Sequence, residues 1–250
     1  MMKNKIQIQN IQEEITMLFK KYKIPAVTHN LPMENLHVWA YKVANHFRLD
    51  DEEFRKTATE LFWSISHIQL ALGYALIAKE SCAYPKGIQG EAFREEDIPM
   101  MTGMPEMHFW HHVYCCYECL YRIWERISIV LMSVCFPTSS EKKYFNQITD
   151  DLCKNPKYNR NKCLQELKKQ ERHWCKIAKI RNDLSHGKSS PFQNSNIEGV
   201  LSNVLDIDGL PMPKLKYSSK NLKHEIENIV DKYRKILPAI KAMKDFIDNI

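Results

Sequence analysis

Three residues within one six-residue segment carry side chains that can act on a phosphodiester: Arg181, Asn182 and His186. The apolar spacing before them predicts a helix that ends at this segment, and Gly187 stands where glycine commonly follows a helix end. At about 100° per residue, Asn182 and His186 lie four apart on one helix face, with Arg181 beside them. We therefore expect the three side chains to converge on one point next to the helix end.

The chemistry of this set fits cleavage of RNA by attack of a ribose 2′-hydroxyl on the adjacent phosphate. Histidine titrates near neutrality, so His186 can act as the general base or the general acid. Arg181 offers bidentate donors to phosphate oxygens, and Asn182 can orient the imidazole or bind the scissile phosphate. The set lacks the carboxylates that a Mg²⁺ nuclease needs, so no metal or other cofactor is predicted. The products would carry a 2′,3′-cyclic phosphate and a 5′-hydroxyl.

The segment Arg181-Asn182-Asp183-Leu184-Ser185-His186 resembles the signature of the HEPN superfamily, in which an Arg precedes a His by four to six residues and a polar residue often follows the Arg. The resemblance covers roughly residues 105–250 and implies a helical bundle with the motif at a helix end. It also implies a metal-independent endoribonuclease, for which we expect single-stranded RNA as substrate. Such enzymes are usually homodimers with a composite site, which would supply an acid and a base from one gene. A toxin or defence effector, controlled by an antitoxin or another regulatory protein, is the role we expect.

Two other interpretations of the motif remain open. Arg181 can pair with an acidic neighbour while His186 caps the last helical turn, where the helix dipole favours a cation. Some HEPN members are not catalytic, so the chain can also be a helical module that binds a protein or a nucleotide in the cleft near the motif.

Charged residues on two predicted helices can support the motif. Glu118 and Glu125 lie on a long helix from which they can reach the motif arginine or histidine and orient it, although exposure or an ordinary ion pair would also suit them. Arg172, Lys176 and Lys179 recur at steps of four and three just before the motif. This basic stripe can bind an RNA backbone, and it is equally typical of a solvated helix face.

The same long helix concentrates residue types that ligate metals, and these are His108, His111, His112, Cys115, Cys116 and Cys119. Pairs four apart, such as His111 and Cys115, can bind zinc. We expect the pairs to lie on different helix faces, and no second cluster of the Cys-x-x-Cys type lies elsewhere in the chain. Because cysteine is commonly buried as a small hydrophobe, core packing is favoured and no metal site is predicted.

Apolar residues at three- and four-residue steps predict the helices that position these side chains. The predicted helices cover residues 8–22, 33–47, 50–79, 106–134, 144–148, 161–184 and 219–250, with Asp50 and either Ser139 or Ser140 as N-caps and a kink near Lys235 caused by Pro238. Residues 81–107 and 188–219 are rich in Gly, Pro, Ser or Asn, which predicts long connections, the second with a small hairpin around Asp208-Gly209. The sequence thus predicts an all-α chain with a HEPN-like bundle over 105–250, a long loop before the last helix, and an N-terminal helical segment over 1–104 that either joins this bundle or elaborates it.

Composition favours a soluble protein. The 250 residues are 44% hydrophobic and 26% charged, a globular composition, and only 7 glycines indicate few tight turns. The net charge of +6 permits contact with a polyanion without requiring it. No apolar run follows Met1, and the longest apolar-rich stretch, 123–136, is too short to span a bilayer, so neither a signal peptide nor a membrane contact is expected. The 8 cysteines are then expected to be free thiols in the reducing cytoplasm.

Overall fold

Eight helices make up the regular structure of the residues that a computed structural model of the chain describes, which are 2–24, 36–49, 51–81, 104–139, 141, 143–185 and 219–250. The helices are α1 (Met2–Lys21), α2 (Leu36–Phe47), α3 (Asp51–Ser81), α4 (Met104–Cys135), α5 (Phe145–Lys154), α6 (Lys162–Lys169), α7 (Glu171–Ser185) and α8 (Ser219–Ile247). No strand occurs in these ranges, so the predicted all-α class is confirmed. The predicted hairpin around Asp208-Gly209 lies outside the described residues.

Helix α4 lies at the centre of the bundle and has one wholly buried face. Its 32 residues extend over about 48 Å at 1.5 Å per residue. Helix α3 packs along it, and α5, α7 and α8 contact its other sides. The side chains of α4 without solvent exposure fall on one face, within about 120° of the helix circumference, namely Phe109, Cys116, Leu120, Ile123, Trp124, Ile127, Val130 and Leu131. The charged residues from Glu118 onwards lie on the other side, as in an amphipathic helix.

The helices before residue 105 share the core of the helices after it. Leu61 and Leu72 of α3 belong to the same buried cluster as Leu120 of α4 and Ile229 of α8. The last helix buries the face that its spacing predicts, since its apolar residues at three- and four-residue steps are all buried: Leu222, Ile226, Ile229, Tyr233, Ile236, Ile240, Met243 and Phe246. Residues from both parts of the chain thus complete one bundle around α4.

The N-terminal boundary of α5 differs from the prediction. Tyr144 is the N-cap residue, and its backbone N–H donates to the Gln147 side chain at 2.9 Å. The predicted caps Ser139 and Ser140 are therefore wrong. Gln147 stands at the third helical position and bonds back to the cap residue, which is one half of a capping box.

The single helix predicted over 161–184 is instead two helices, α6 and α7, which meet at Gln170. Asn161 does begin α6 as expected, because its side chain accepts hydrogen bonds from the first-turn backbone N–H groups. The backbone N–H of Gln170 bonds the carbonyl oxygen of Leu167, three residues back, which ends α6. No Gly or Pro marks this break. It allows α6 to pack on α5 and α8 while α7 packs on α4.

One segment of α3, Glu52–Ser81, is long and apolar enough to cross a membrane by length and composition alone. The most membrane-like stretch of the described chain is therefore not the predicted 123–136. About 56% of the apolar window is buried within the protein, as expected of a core helix. The bundle is compatible with a soluble protein.

Helix α1 approaches α3 closely at Gly73. A β-carbon at this position would lie 2.7 Å from Cγ2 of Ile15, well inside van der Waals contact. Glycine in a helix interior is normally less favourable than alanine by about 1 kcal/mol. The close packing of Ile15 on the bare backbone offsets that loss.

We expect Gly73→Ala to lower the free energy of unfolding by roughly 1 kcal/mol, because overpacking outweighs the gain in helix propensity. In an Ile15→Ala background the same change should instead raise it by about 0.5–1 kcal/mol, since the obstructing side chain is gone. Urea denaturation of the four proteins measures both effects. An equal effect of Gly73→Ala in the two backgrounds would contradict the packing described here.

A polar cluster ties the ends of α1 and α3 together. Glu80 accepts hydrogen bonds from Lys21 Nζ at 2.8 Å and from Tyr22 Oη at 2.6 Å, and Lys79 Nζ donates to Tyr22 Oη at 2.8 Å. The hydrogen bond from Lys21, followed by that from Tyr22, lowers the pKa of Glu80 to about 2. Burial, followed by the bond to Glu80, raises the pKa of Tyr22 to about 12.

Glu80→Gln should therefore destabilise the protein at neutral pH, and the loss should shrink in acid. The folded-state pKa of about 2 lies below the ordinary value of 4.5, so the stabilisation by Glu80 is complete above pH 4.5 and disappears as the pH falls towards 2. Urea denaturation of wild type and variant between pH 7 and about pH 2.5 measures the difference. Glu14→Gln is the matched control, because Glu14 is an exposed α1 carboxylate without an ion pair to another described residue. A difference that stays constant down to the lowest pH would refute the assignment.

Candidate active site at the end of helix α7

Helix α4 holds the guanidinium of Arg181 from two sides. Arg181 Nε donates to Glu118 Oε2 at 3.3 Å, and the guanidinium carbon lies 4.8 Å from the centroid of the Tyr121 ring. Glu118 and Tyr121 are three residues apart, so they lie on the same face of α4. A carboxylate and an aromatic ring both favour a cation, and together they fix where the guanidinium lies.

Asn182 contacts the same guanidinium, through a hydrogen bond of 3.4 Å from Arg181 Nη1 to Asn182 Oδ1. The side chain of Asn182 is exposed, and that of Arg181 retains 34% of its accessible surface. Within the described part of the chain, Arg181 Nη2 has no hydrogen-bond partner. The two predicted neighbours therefore lie together at the surface, where an anion can reach the guanidinium.

His186 lies outside the described residues. It directly follows Ser185, the last described residue of α7. The convergence of His186 with Arg181 and Asn182 stays a prediction, as does its pairing with a second copy of the chain.

The two glutamates expected to support the motif have different partners. Glu118 contacts Arg181, and its other oxygen accepts from Arg122 Nε at 3.3 Å. Glu125 lies 3.7 Å from Arg126 Nη1, and Arg126 Nε lies 2.7 Å from the Glu60 carboxylate on α3. Glu118 is thus the carboxylate that positions the motif arginine, and Glu125 belongs to a charge cluster between α3 and α4.

Three aromatic side chains, Tyr121, Tyr144 and Trp174, form a cluster beside Arg181. The Tyr121 and Trp174 ring centroids lie 5.1 Å apart, and Tyr144 stacks on Trp174 at 6.3 Å. Tyr144 is 58% exposed. Tyr121 is not among the site residues predicted from the sequence. Tyr121 follows Glu118 by three residues, so the sequence alone places the two side chains on one face of the helix.

A cleft of about 800 Å³ opens beside this aromatic cluster. Its wall includes all three aromatic residues, the basic residues Arg48, Lys56, Arg126 and Lys143, and the acidic residues Glu53, Glu60, Glu125 and Glu141. The charges of both signs occur in equal number, and Lys143 pairs with Asp151 and Glu141. The cleft is therefore a mixed polar and aromatic site and not a uniformly basic channel.

The basic residues of α6 and α7 divide into two groups. Lys168 is paired with Asp150 and Glu171, and Lys169 with Glu166. The predicted stripe of Arg172, Lys176 and Lys179 is exposed, and none of the three forms an ion pair with another residue of the described ranges. The part of the basic run nearest the motif thus presents cations to solvent.

The expectation that the histidine and cysteine pairs of α4 lie on different faces is wrong for four residues, and the expected core packing is wrong for His108 and His111. Cys115 packs against the core as expected. At about 100° per residue, His108, His111, His112 and Cys115 fall within about 100° of the helix circumference. His108 and His111 are exposed, and His112 and Cys115 are half-buried. Burial, with smaller contributions from His111 and His108, lowers the pKa of His112. Cys116, the residue after Cys115, is fully buried, as core packing predicts.

Comparisons with known proteins give no match: no protein-family model, no curated protein and no solved structure is similar to this chain. The resemblance to the HEPN superfamily therefore rests on the motif residues and on the helix that carries them.

Glu118→Gln should make Arg181 more reactive towards phenylglyoxal, because a charged partner that restrains the guanidinium is replaced by a neutral one. We expect an increase of up to about fivefold, the range for a partly exposed ion pair. Mass spectrometry of the peptide that contains Arg181 measures the rate, and Arg172 on the same helix is an internal reference. Glu125→Gln is the matched control and should leave the rate unchanged. The same increase in both variants would contradict the specific role of Glu118.

Proposed function

We propose that this chain is a metal-independent endoribonuclease of HEPN type that cleaves single-stranded RNA. The observation that carries the proposal is the surface guanidinium of Arg181, held by Glu118 and Tyr121 at the end of α7, with Asn182 against it. Phosphoryl transfer is catalysed chiefly by positioning and by stabilising charge, so a cation fixed before substrate arrives is the group that this reaction needs.

In the proposed reaction the 2′-oxygen attacks the adjacent phosphorus, and the bond from phosphorus to the 5′-oxygen breaks. His186 takes the proton from the 2′-hydroxyl or donates a proton to the leaving 5′-oxygen. Arg181 binds the non-bridging oxygens, whose negative charge grows in the transition state. Asn182 orients the imidazole or binds the same phosphate. The products are a 2′,3′-cyclic phosphate and a 5′-hydroxyl.

Two surfaces next to Arg181 suit the remainder of an RNA strand. Aromatic side chains stack bases without regard to sequence, and the exposed Tyr144, which lines the cleft and packs on the buried Trp174, offers such a ring. The exposed stripe of Arg172, Lys176 and Lys179 leads along α7 to the motif and suits a phosphate backbone.

One imidazole does not serve well as acid and base in the same step. We therefore propose a homodimer in which two copies of residues 181–186 meet at a two-fold axis, so that each copy supplies one of the two groups. The proposed location is the cytoplasm, where RNA is present and the cysteines remain reduced.

The proposal is tested by incubating the full chain with a labelled single-stranded RNA in excess EDTA. Cleavage should persist with the chelator and fall at least about 100-fold in Arg181→Ala and in His186→Ala. Arg160→Ala and His224→Ala change an exposed arginine and an exposed histidine elsewhere, and they should cleave like wild type. Light scattering of the same samples reports whether the chain is dimeric.

Two outcomes would overturn the enzyme assignment. Cleavage that survives both motif substitutions would come from a contaminant or another site. An absence of cleavage over a panel of RNAs, with RNA or a nucleotide still bound, would instead indicate a non-catalytic module, in which the pairing of Arg181 with Glu118 is structural.

A further inference from the structure

We propose that His111, His112 and Cys115 of α4 form a binding site for one Zn²⁺ ion. The ligand atoms of these three side chains lie within 4.8 Å of one another. Two imidazoles and a thiolate are the donors that zinc prefers in proteins. The site is distinct from the nuclease site proposed above, and that reaction needs no metal.

The distance between His111 Nε2 and Cys115 Sγ supports a shared ion. These atoms lie 3.7 Å apart. With Zn–N and Zn–S bonds of about 2.05 and 2.3 Å at a tetrahedral angle, two such ligands of one zinc ion are separated by about 3.6 Å. The pair four residues apart on the helix is thus already at the separation that coordination requires. Coordination by this pair also requires a deprotonated Cys115 thiol and a His111 ring rotated so that its nitrogen faces the ion.

His112 completes the set from the half-buried side. Its ring stacks on Tyr74 of α3 at a centroid distance of 5.2 Å, which restrains its orientation. His111 is exposed, so it can follow the ion while His112 stays in place. Three protein ligands leave the fourth tetrahedral position to water or to a further ligand.

The chemistry of the set favours zinc over the hard cations. Mg²⁺ and Ca²⁺ require oxygen ligands, and the three donors here are nitrogen and sulfur. The nearest carboxylate along this face is Glu118, three residues after Cys115, and its oxygens are bound to Arg122 and Arg181. The ion would lie about one helical turn from the carboxylate that positions Arg181, where it would cross-link successive turns of α4.

The test is a titration of the full chain, stripped with EDTA, exchanged into buffer and kept reduced, with Co²⁺ as a spectroscopic substitute for Zn²⁺. We expect one Co²⁺ per chain with a thiolate-to-cobalt charge-transfer band, and displacement of the cobalt by Zn²⁺. The band should be lost in Cys115→Ser. Affinity should fall at least tenfold in His111→Ala and in His112→Ala. His111 is exposed, so its substitution removes a ligand without opening a cavity in the core.

Two matched controls make the test specific. Cys119→Ser changes a half-buried cysteine one turn further along the same helix, and His224→Ala changes an exposed histidine on α8. Both should bind cobalt like wild type. Less than one equivalent of cobalt, a charge-transfer band that persists in Cys115→Ser, or an equal loss in Cys119→Ser would overturn the site. None of these results depends on RNA cleavage, so failure of the metal site and failure of the nuclease proposal are distinguished.

Discussion

The burial of α4 by four neighbouring helices is the constraint on which the rest of the structure depends. Each of α3, α5, α7 and α8 contacts it, and the polar side chains of α4 are either bonded within this packing or lie away from its wholly buried face. One of them is Tyr117, whose hydroxyl donates to Glu225 of α8 at 2.5 Å, and burial together with that carboxylate raises the pKa of Tyr117. The remaining polar positions lie where the covering helices leave a gap. Glu118 and the histidines at the start of α4 occupy such gaps.

The candidate active site is a consequence of this packing. Trp174 is buried between α7 and α4, and its ring contacts Tyr121, which in turn lies under the guanidinium of Arg181. Any shift of α7 on α4 would therefore separate Arg181 from both Tyr121 and Glu118. A site carried by two packed helices holds its geometry better than one carried by loops. The structure thereby links the stability of the core to the position of the motif arginine.

Much of this arrangement follows from the sequence because long helices have regular apolar spacing. The buried face of α8 could be predicted in this way. The break at Gln170 could not, because no Gly or Pro marks it and a tertiary contact accompanies it: Glu171 accepts a hydrogen bond from Thr149 of α5. The contact between Glu118 and Arg181 could be proposed from residue type alone, but the choice of Glu118 over Glu125 required the packing of α7 on α4. The shared face of the α4 histidines follows from the helical steps alone, since positions 108, 111, 112 and 115 fall within about 100° of the helix circumference.

The central claim is that Arg181 and His186 act on a ribose 2′-hydroxyl. Its most direct test uses an RNA oligonucleotide with one cleaved linkage and a matched oligonucleotide with a 2′-deoxy nucleotide on the 5′ side of that linkage, each incubated with the full chain in excess EDTA. The account predicts that the all-ribose linkage is cut to a 2′,3′-cyclic phosphate and that the 2′-deoxy linkage stays intact. Equal cleavage of the two linkages, or no cleavage of either at any linkage tested, would contradict it.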